Sequence, residues 1–356
     1  MSAEAMHRYK LVEFGRPVEA VDEPLPELSG TEVLLRISAC GVCHSDLHLI
    51  DGHFDLGQGQ KLDMSRAMKL PHVLGHEIVG TVLAAGPDAG AVPMGERRLI
   101  YPWIGCGQCA TCQAGDEQLC LKPRALGVNV DGGFGTHVVV PHSRYLIDIE
   151  GLDETLACTY ACSGLTAYGA LKKIGRLGEG DKALIIGAGG VGLAAVHLAS
   201  AVLGVQPYVA DLDPAKREAA LKGGALAAVD PADPDLRKSL LKETGGFAAV
   251  IDFVGASSTA ELGVGLLRKG GHFVSVGLFG GAITLPLPTL AMRGISLTGS
   301  YVGSLQDLKE LVELIRRNGT YPLPVTPRPL DEVQTSLDAL RGGKVVGRIV
   351  LEPAAR

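Results

Sequence analysis

The sequence lacks a strong charge of either sign. Its 356 residues include 33 lysines and arginines and 39 aspartates and glutamates, which give a formal net charge of −6. Proteins that bind nucleic acid or an anionic membrane present a basic patch to these polyanions. The charge balance provides no such patch, so we expect no nucleic acid and no membrane as partner, and a small molecule instead.

The sequence also lacks an uninterrupted apolar run of membrane-spanning length. The longest apolar stretch, Ala183 to Leu203, contains four glycines together with His197 and Ser200, which argues against a transmembrane helix. No apolar leader follows Met1, and glycine and proline are spread along the chain instead of forming a low-complexity tract. We therefore expect a soluble, cytoplasmic protein.

Hydrophobic patterning divides the chain into three parts. The first 150 residues contain short apolar runs broken by glycine and proline, which is typical of a β-rich domain. Beyond about residue 165, strand-like runs alternate with helix-length segments, the pattern of a parallel sheet covered on both faces. We predict an α/β protein with a first part at 1–150, an inserted doubly wound domain at 151–299 and a return to the first domain at 300–356. The predicted strands are 32–37, 77–85, 135–140, 183–186, 207–210, 248–253, 272–276 and 347–351, and the predicted late helices are 305–317 and 330–340.

Four cysteines within fifteen residues form the strongest local motif. They are spaced as Cys106-x2-Cys109-x2-Cys112-x7-Cys120. Four thiolates so close together in a reducing compartment indicate a tetrahedral metal cage, and a closed set of four leaves no position for a substrate. We predict a structural zinc in a lobe at 95–122, with an iron–sulfur site and a disulfide pair as the alternatives.

A glycine-rich turn indicates a dinucleotide site. The run from Gly187 to Gly192 follows an apolar strand and opens an apolar helix, as the dinucleotide fingerprint requires. Its glycines permit a tight turn and let backbone N–H groups approach a pyrophosphate. Asp211, nineteen residues later, is placed to bind the adenosine ribose, and the following Leu212 offers no charge to neutralise a 2′-phosphate. The pattern favours NAD, and the alternative is a structural turn beside a surface aspartate.

A second group of potential metal ligands is spread along the chain. Cys43 and His76 lie about thirty residues apart, and Cys162 follows beyond the lobe. Two thiolates and one imidazole leave a fourth position for water or substrate, as a catalytic zinc requires. Taken singly, a buried cysteine or a packed histidine is the simpler interpretation. The combination therefore carries the prediction.

Together these motifs resemble the zinc-dependent medium-chain alcohol dehydrogenases over nearly the whole chain, and most closely their tetrameric microbial branch. The resemblance implies a β-rich GroES-like catalytic domain with an inserted Rossmann domain. It also implies reversible hydride transfer between an alcohol and NAD, two zinc ions per chain and a homotetramer. The segments that carry it are Gly41 to His48, Gly75-His76-Glu77, Tyr101-Pro102-Trp103, the four cysteines, Leu126 to Asn129, Asp131-Gly132-Gly133, Cys162 to Tyr168, Gly187 to Gly192 and Val276-Gly277.

The resemblance assigns the ligands of the catalytic zinc. It implies Cys43, His76 and Cys162, with Glu77 beside the metal as a transient fourth ligand. Cys158 competes with Cys162, but the family places its cysteine directly before a run of a small residue, glycine and threonine, which selects Cys162.

Further roles surround these ligands. Asp46 is implied to orient the histidine ligand, with helix capping as the alternative. Ser45 is implied to contact the alcohol, and His48 to pass its proton through the cofactor ribose to solvent. Trp103 resembles an aromatic residue that lines the cleft, which favours apolar or aromatic alcohols, although it could equally be a core residue.

Other residues are implied to contact the cofactor. His44 and Arg348 resemble residues that hold the pyrophosphate. The full implied set is His44, Thr166, Gly187, Gly189, Gly190, Val191, Gly192, Asp211, Leu212, Val276, Gly277 and Arg348.

Three alternatives stay open at this level. The substrate could be that of a polyol, threonine or formaldehyde dehydrogenase on the same scaffold, or the protein could be a catalytically silent cofactor-binding relative. The segment from Phe54 to Lys69 is longer than in many relatives, and it either shapes the cleft or forms a subunit contact.

Overall fold

Residues 5–319 and 323–354 of the computed structural model form eighteen strands and eleven α-helices. The strands are β1 (Ala5–Leu11), β2 (Glu19–Pro24), β3 (Val33–Gly41), β4 (His53–Gly57), β5 (Gln60–Asp63), β6 (His72–Val73), β7 (Glu77–Ala85), β8 (Arg97–Ile100), β9 (His137–Val140), β10 (Leu146–Asp148), β11 (Ala183–Ile186), β12 (Tyr208–Ala210), β13 (Ala227–Val229), β14 (Phe247–Asp252), β15 (Leu267–Ser275), β16 (Ser296–Gly299), β17 (Val325–Pro329) and β18 (Arg348–Glu352). The helices are α1 (His44–Asp51), α2 (Ala110–Gln113), α3 (Glu154–Ala157), α4 (Ser163–Ile174), α5 (Gly190–Leu203), α6 (Pro214–Lys222), α7 (Leu236–Thr244), α8 (Ser257–Leu266), α9 (Leu287–Arg293), α10 (Leu305–Asn318) and α11 (Val333–Arg341).

Strands from both ends of the chain share one seven-stranded sheet. Its order is β10-β8-β7-β3-β18-β17, and β9 also pairs with β3. Gly41, at the end of β3, is paired with Glu77 at the start of β7 and with Val350 of β18. This register brings together the ends of three segments that are far apart in sequence. Cys43, His76 and Arg348 therefore lie near the same end of these three neighbouring strands.

The second large sheet is entirely parallel. Its six strands run in the order β13-β12-β11-β14-β15-β16. All four residues of β11 are buried, because helices cover both faces of such a sheet. The strand order reverses between β11 and β14, and ligands of open parallel sheets bind at such a switch point, beyond the carboxyl ends of the strands.

The apolar stretch from Ala183 to Leu203 is divided between β11 and α5. None of the helices in the described part of the chain is both long and apolar enough to cross a membrane.

Most of the predicted elements are present, with shifted ends. The strands predicted at 77–85 and 183–186 have the predicted bounds, whereas β3 extends four residues further, to Gly41. The helix predicted at 330–340 begins as a 3₁₀ turn at Leu330–Glu332 and becomes α-helical at Val333. The prediction missed the three-stranded sheet β2-β1-β6.

The segment from Phe54 to Lys69 contains all but the first residue of the antiparallel hairpin β4–β5, which begins at His53. Its tip lies against the loop that follows β15. A Cβ added to Gly57 would lie 2.5 Å from the carbonyl carbon of Gly281, and one added to Gly280 would lie 2.7 Å from the Cβ of Asp55. The hairpin therefore contacts the part of the chain that carries the parallel sheet.

Candidate metal centres and cofactor crevice

Cys43, His76 and Cys162 meet in a buried cluster. Their ligand atoms all lie within 4.8 Å of one another. Cys43 precedes α1, His76 immediately precedes β7, and Cys162 precedes α4. The Nε2 atom of His76 is buried without a hydrogen-bond partner among the described residues. A buried polar atom without a partner is costly, and a metal ion held by these three residues would satisfy it.

The charges in this cluster suit a cation. A hydrogen bond from Cys162 lowers the pKa of Cys43 well below its ordinary value, against the opposing effect of burial, and His76 adds to this lowering. Burial alone would lower the pKa of His76, but the charge of Asp46 and the neighbouring Cys43 raise it well above its usual range. A divalent cation binds the deprotonated forms of cysteine and histidine. Its binding would therefore release the proton of the imidazole and place the metal charge beside the thiolate.

Asp46 joins two of the ligand segments. Its fully buried carboxylate accepts a hydrogen bond from the backbone N–H of Cys43 at 2.8 Å. The other oxygen lies 3.4 Å from Nδ1 of His76 and accepts from the N–H of Gly75 at 3.3 Å. The first contact caps α1, so the two roles expected for Asp46 coexist.

Glu77 and Arg348 connect the cluster with the glycine turn. The Glu77 carboxylate forms an ion pair with the guanidinium of Arg348 and accepts a hydrogen bond from the N–H of Ser163 at 3.1 Å. Glu77 is therefore not in the ligand group of this structure, although a transient fourth ligand was expected there. Arg348 is buried, and a Cβ added to Gly190 would lie 2.2 Å from its Cδ. One side chain thus spans the distance between the two sites.

The residues expected to form a proton relay lie on α1. The Ser45 hydroxyl is 3.8 Å from the sulfur of Cys43. His48 lies one helical turn further on, half-buried, with its ring centroid 4.8 Å from that of Phe54. Burial lowers the pKa of His48 below its ordinary value, which favours the neutral, proton-accepting ring. His44, the first residue of α1, is exposed.

The first and last glycines of the turn cannot be replaced by a larger residue. Gly187 has a φ of +89°, and a Cβ on Gly192 would lie 1.8 Å from the carbonyl oxygen of Gly187. The carboxylate of Asp211 accepts from the N–H of Ala188 at 2.7 Å, which places it directly at the turn. The N-terminus of α5 and the backbone of this turn fit a pyrophosphate, and the carboxylate of Asp211 fits a ribose.

The remaining residues expected at the cofactor have different surroundings. Leu212 is exposed, whereas Thr166 is buried on α4. Val276 and Gly277 follow β15, and their backbone N–H groups both donate to the carbonyl oxygen of Asp252. Val191 follows Gly190 in the first turn of α5.

Trp103 packs against the buried cluster. Its ring centroid lies 5.2 Å from that of His76, and its indole N–H donates to the carbonyl oxygen of Ala161 at 2.9 Å. Tyr301, which the sequence reasoning missed, lies at 5.9 Å with its ring edge-on to Trp103 and is partly exposed. Trp103 is thus both a packed residue and a neighbour of the buried cluster.

The four lobe cysteines form a separate cluster. Three sulfur–sulfur distances are 3.9, 3.4 and 3.9 Å, far longer than a disulfide bond, and all four thiols are free. A tetrahedron with zinc–sulfur bonds of about 2.3 Å has edges of about 3.8 Å. Hydrogen bonds from the backbone N–H groups of Gln108 and Cys109 lower the pKa of Cys106 to about 6, so its thiolate is available near neutral pH.

A buried glutamate, also missed, anchors this lobe. Glu117 accepts hydrogen bonds from the N–H of Gly105 at 3.0 Å and from the hydroxyl of Tyr145 at 2.8 Å. It also forms an ion pair with Arg144 at 3.0 Å. Its position between Cys112 and Cys120 was visible in the sequence, but its partners were not.

Comparisons with known proteins agree with both halves of the architecture. Residues 29–151 match the family profile described as alcohol dehydrogenase GroES-like domain, and residues 190–317 match that described as zinc-binding dehydrogenase. The NAD-dependent alcohol dehydrogenase of Sulfurisphaera tokodaii is 34% identical over 351 residues, which cover 98% of this chain and 100% of that protein.

Solved structures agree as well. The crystal structure of the alcohol dehydrogenase from Aeropyrum pernix superposes with a TM-score of 0.87 at 31% identity, covering 98% of this chain and 100% of that one. The cobalt- and zinc-bound thermostable alcohol dehydrogenase from Pyrobaculum aerophilum gives 0.84 at 27% identity, covering 98% and 100%. The chain therefore belongs to the zinc-dependent medium-chain alcohol dehydrogenase family. It is an NAD-dependent enzyme that interconverts alcohols and the corresponding carbonyl compounds.

Proposed function

We propose that Cys43, His76 and Cys162 hold the catalytic zinc, that the four lobe cysteines hold a structural zinc, and that NAD lies between the first cluster and the glycine turn. The observation that carries this assignment is the position of Arg348. Its guanidinium pairs with Glu77, next to the ligand His76, while its aliphatic stem packs on Gly190 of the turn. A metal and a dinucleotide bound at these places would be neighbours, as hydride transfer from a metal-held alcohol requires.

Zinc and NAD would supply the chemistry of this site, and three side chains would prepare the site for them. When bound, zinc supplies a Lewis acid that lowers the pKa of an alcohol hydroxyl, and NAD supplies the hydride acceptor. Asp46 fixes the ring of His76 and the backbone of Cys43. Trp103 excludes water from one side of the cluster. Arg348 contributes positive charge beside the N-terminus of α5, where the pyrophosphate is expected.

We assign the proton path to Ser45 and His48. The Ser45 hydroxyl lies 3.8 Å from the sulfur of Cys43, so it would be a neighbour of an alcohol bound at a metal that this residue holds. His48 is one helical turn further from the cluster, and its lowered pKa keeps the ring neutral and able to accept a proton at neutral pH. The pair can lead the alcohol proton towards solvent.

Asp211 supports the choice of NAD over NADP. Its carboxylate is held at the turn by the N–H of Ala188 and by that of Asp213, at 2.7 and 2.8 Å. Two ribose hydroxyls could donate to this carboxylate, whereas a 2′-phosphate would meet it as like charge.

Aromatic residues beside the cluster support an apolar or aromatic alcohol as substrate. Trp103 and Tyr301 place two rings within 5.9 Å of each other, and Trp103 in turn lies against His76. This wall offers apolar surface and few hydrogen-bond partners, which disfavours a polyol. We propose primary and secondary alcohols with apolar or aromatic substituents.

We also propose a homotetramer in a reducing, cytoplasmic compartment. Strand β16 ends the parallel sheet, and no described strand pairs with its outer edge. Large apolar side chains are exposed on this strand, at Leu297, and on the preceding helix α9, at Leu287 and Met292. Another copy of the chain would cover both the unpaired edge and the apolar surface. Light scattering coupled to size exclusion measures the assembly, and a monomer or a dimer would contradict the proposed tetramer.

The activity itself is tested by NADH absorbance. We expect the zinc-loaded protein to reduce NAD in the presence of benzyl alcohol and of short primary and secondary alcohols, and to use sorbitol and threonine far more slowly. Activity confined to sorbitol or threonine would contradict the proposed substrate class. Absence of activity with every alcohol, in protein that carries metal and binds NADH, would contradict the proposed function.

A further inference from the structure

Asp252 is a buried carboxylate that the reaction described above does not use. It ends β14 and has no exposed surface. No lysine, arginine or histidine of the described residues forms an ion pair with it. Burial raises its pKa, as expected for a charge removed from water. A buried carboxylate without a cationic partner is costly unless it serves as an acceptor for several hydrogen bonds.

The acceptors of Asp252 hold two loops. Its Oδ1 atom accepts from the N–H groups of Val254 and Gly255 at 2.9 and 3.1 Å, and its Oδ2 atom accepts from the hydroxyl of Thr259 at 2.8 Å. Its backbone carbonyl oxygen accepts from the N–H groups of Val276 and Gly277 at 2.9 and 3.0 Å. The carboxylate therefore fixes the loop after β14, and the backbone of the same residue holds the loop after β15, which packs against the first loop.

These loops have no spare room around the glycine turn. A Cβ on Gly187 would lie 2.7 Å from the Cγ2 of Val254. One on Gly255 would lie 2.0 Å from the carbonyl oxygen of Gly277, and one on Gly277 would lie 2.1 Å from the carbonyl carbon of Val254. A small shift of either loop would change the shape of the crevice.

The order of the strands indicates which half of the dinucleotide lies on these loops. Asp211, the ribose acceptor of the adenosine half, follows β12 on one side of β11. The loops that Asp252 holds follow β14 and β15 on the other side. A dinucleotide that crosses the switch point places its second nucleotide there.

We propose that Asp252 is a positioning residue for the nicotinamide half of the cofactor, acting through the backbone of the loops after β14 and β15. This inference rests on the proposed NAD site. Asp252 does not touch the cofactor itself, because it is sealed beneath the loops. Its loss should therefore disturb the nicotinamide half and spare the adenosine half.

The test compares NADH with 5′-AMP, which carries only the adenosine half. NADH is titrated by its fluorescence into zinc-loaded protein, and 5′-AMP by competition. In Asp252→Ala, up to three donors lose their acceptor, so we expect NADH to bind about tenfold more weakly or worse, with the 5′-AMP affinity changed less than about twofold. In Asp252→Asn, the amide oxygen still accepts from both N–H groups and the amide nitrogen can donate to Thr259, so NADH affinity should stay within about threefold.

Three results would overturn the inference. They are equal weakening of NADH and 5′-AMP in Asp252→Ala, an unchanged NADH affinity in that variant, or a loss in Asp252→Asn as large as in the alanine variant. Thermal melting reports whether each variant folds. If the alanine variant does not fold, Thr259→Val is used instead, because it removes one donor to Asp252. We then expect a smaller loss of NADH affinity with the 5′-AMP affinity preserved. An equal loss for both ligands in this variant would overturn the proposal. Failure of the unaltered protein to bind NADH would instead refute the proposed cofactor site.

Discussion

The two cysteine clusters differ in how the chain builds them. The lobe takes four ligands from one segment of fifteen residues, and two of these, Cys106 and Cys109, are partly exposed. The buried trio takes its three candidate ligands from three segments, which the seven-stranded sheet and the N-terminus of α4 bring together. A closed set of four can brace local structure, whereas a set of three with an open position can bind a substrate. The four-cysteine motif can therefore be recognised within one segment of sequence, whereas the cluster assigned to the chemistry depends on contacts between distant segments.

The residues around the two cysteine clusters also differ in what they contact. Both clusters have a buried carboxylate behind them, Glu117 for the lobe and Asp46 for the trio. Glu117 fixes backbone and side chains that hold the lobe to the rest of the domain. Asp46 directly faces the imidazole of His76, which we propose as a metal ligand. Only the trio is also joined, through Arg348, to the cofactor turn.

Removing a ligand of the trio should have the largest effect on turnover. Cys162→Ser replaces a thiolate with a hydroxyl that ionises far less readily, so we expect alcohol oxidation to fall to the assay background while the protein stays folded. NADH absorbance and thermal melting measure the two properties. The matched control is Cys158→Ser, because Cys158 is buried one helical turn earlier but lies outside the ligand group. Retained activity in Cys162→Ser would remove that residue from the site.

Replacing the buried carboxylate beside each cluster should have the second-largest effect, and the effect should differ between the two clusters. Asp46→Asn weakens the orientation of His76, and such changes typically cost 10–100-fold in activity or metal affinity. Glu117→Gln removes the charge of an acceptor in the lobe, so we expect a loss of about 1–2 kcal/mol in the free energy of unfolding with a smaller effect on kcat/KM. Steady-state kinetics and denaturant titration measure both variants. Equal effects on kcat/KM would contradict the distinction drawn between the clusters.

Asp211, at the glycine turn beside Arg348, should determine the preference for NAD over NADP. Asp211→Ala removes a like charge from the neighbourhood of a 2′-phosphate, a repulsion of about 1 to 4 kcal/mol at 4 Å in water or near a protein surface. We expect the ratio of kcat/KM for NADP to that for NAD to rise about tenfold or more. Parallel assays with the two cofactors measure the ratio. No change in it would refute the role assigned to Asp211.

The smallest effect is expected at the proton path. His48→Gln should slow alcohol oxidation at neutral pH by about tenfold, less than for a group that contacts the reacting atoms, and imidazole buffer should restore part of the rate. Because burial lowers the pKa of His48, its neutral form persists into mildly acidic solution. The rate of the unaltered enzyme should therefore fall only when the pH drops below the ordinary histidine range.

His53→Gln is the matched control for the relay. His53 lies five residues further along, with its ring nitrogen hydrogen-bonded to the carbonyl oxygen of Asp51. We expect little change in rate and no response to imidazole. An unchanged rate in His48→Gln, or a rescue equally strong in both variants, would remove His48 from the proton path.

The sequence predicts the regular elements and the local motifs better than the contacts between distant segments. Strands β7 and β11 are apolar runs with clear ends and were predicted with their bounds, whereas β5 is exposed throughout and has no apolar pattern to detect. The lobe was visible from spacing alone, and Cys162 required the resemblance to choose it over Cys158. Tyr301 was missed because its contact with Trp103 joins segments almost 200 residues apart.

Metal analysis of purified protein tests the central claim most directly. We predict two zinc ions per chain in the unaltered enzyme. Cys162→Ser should lose one of them and its activity while the lobe keeps the other, and Cys109→Ser should lose the lobe metal and keep the metal of the trio. A single metal ion per chain in fully active enzyme would contradict the account.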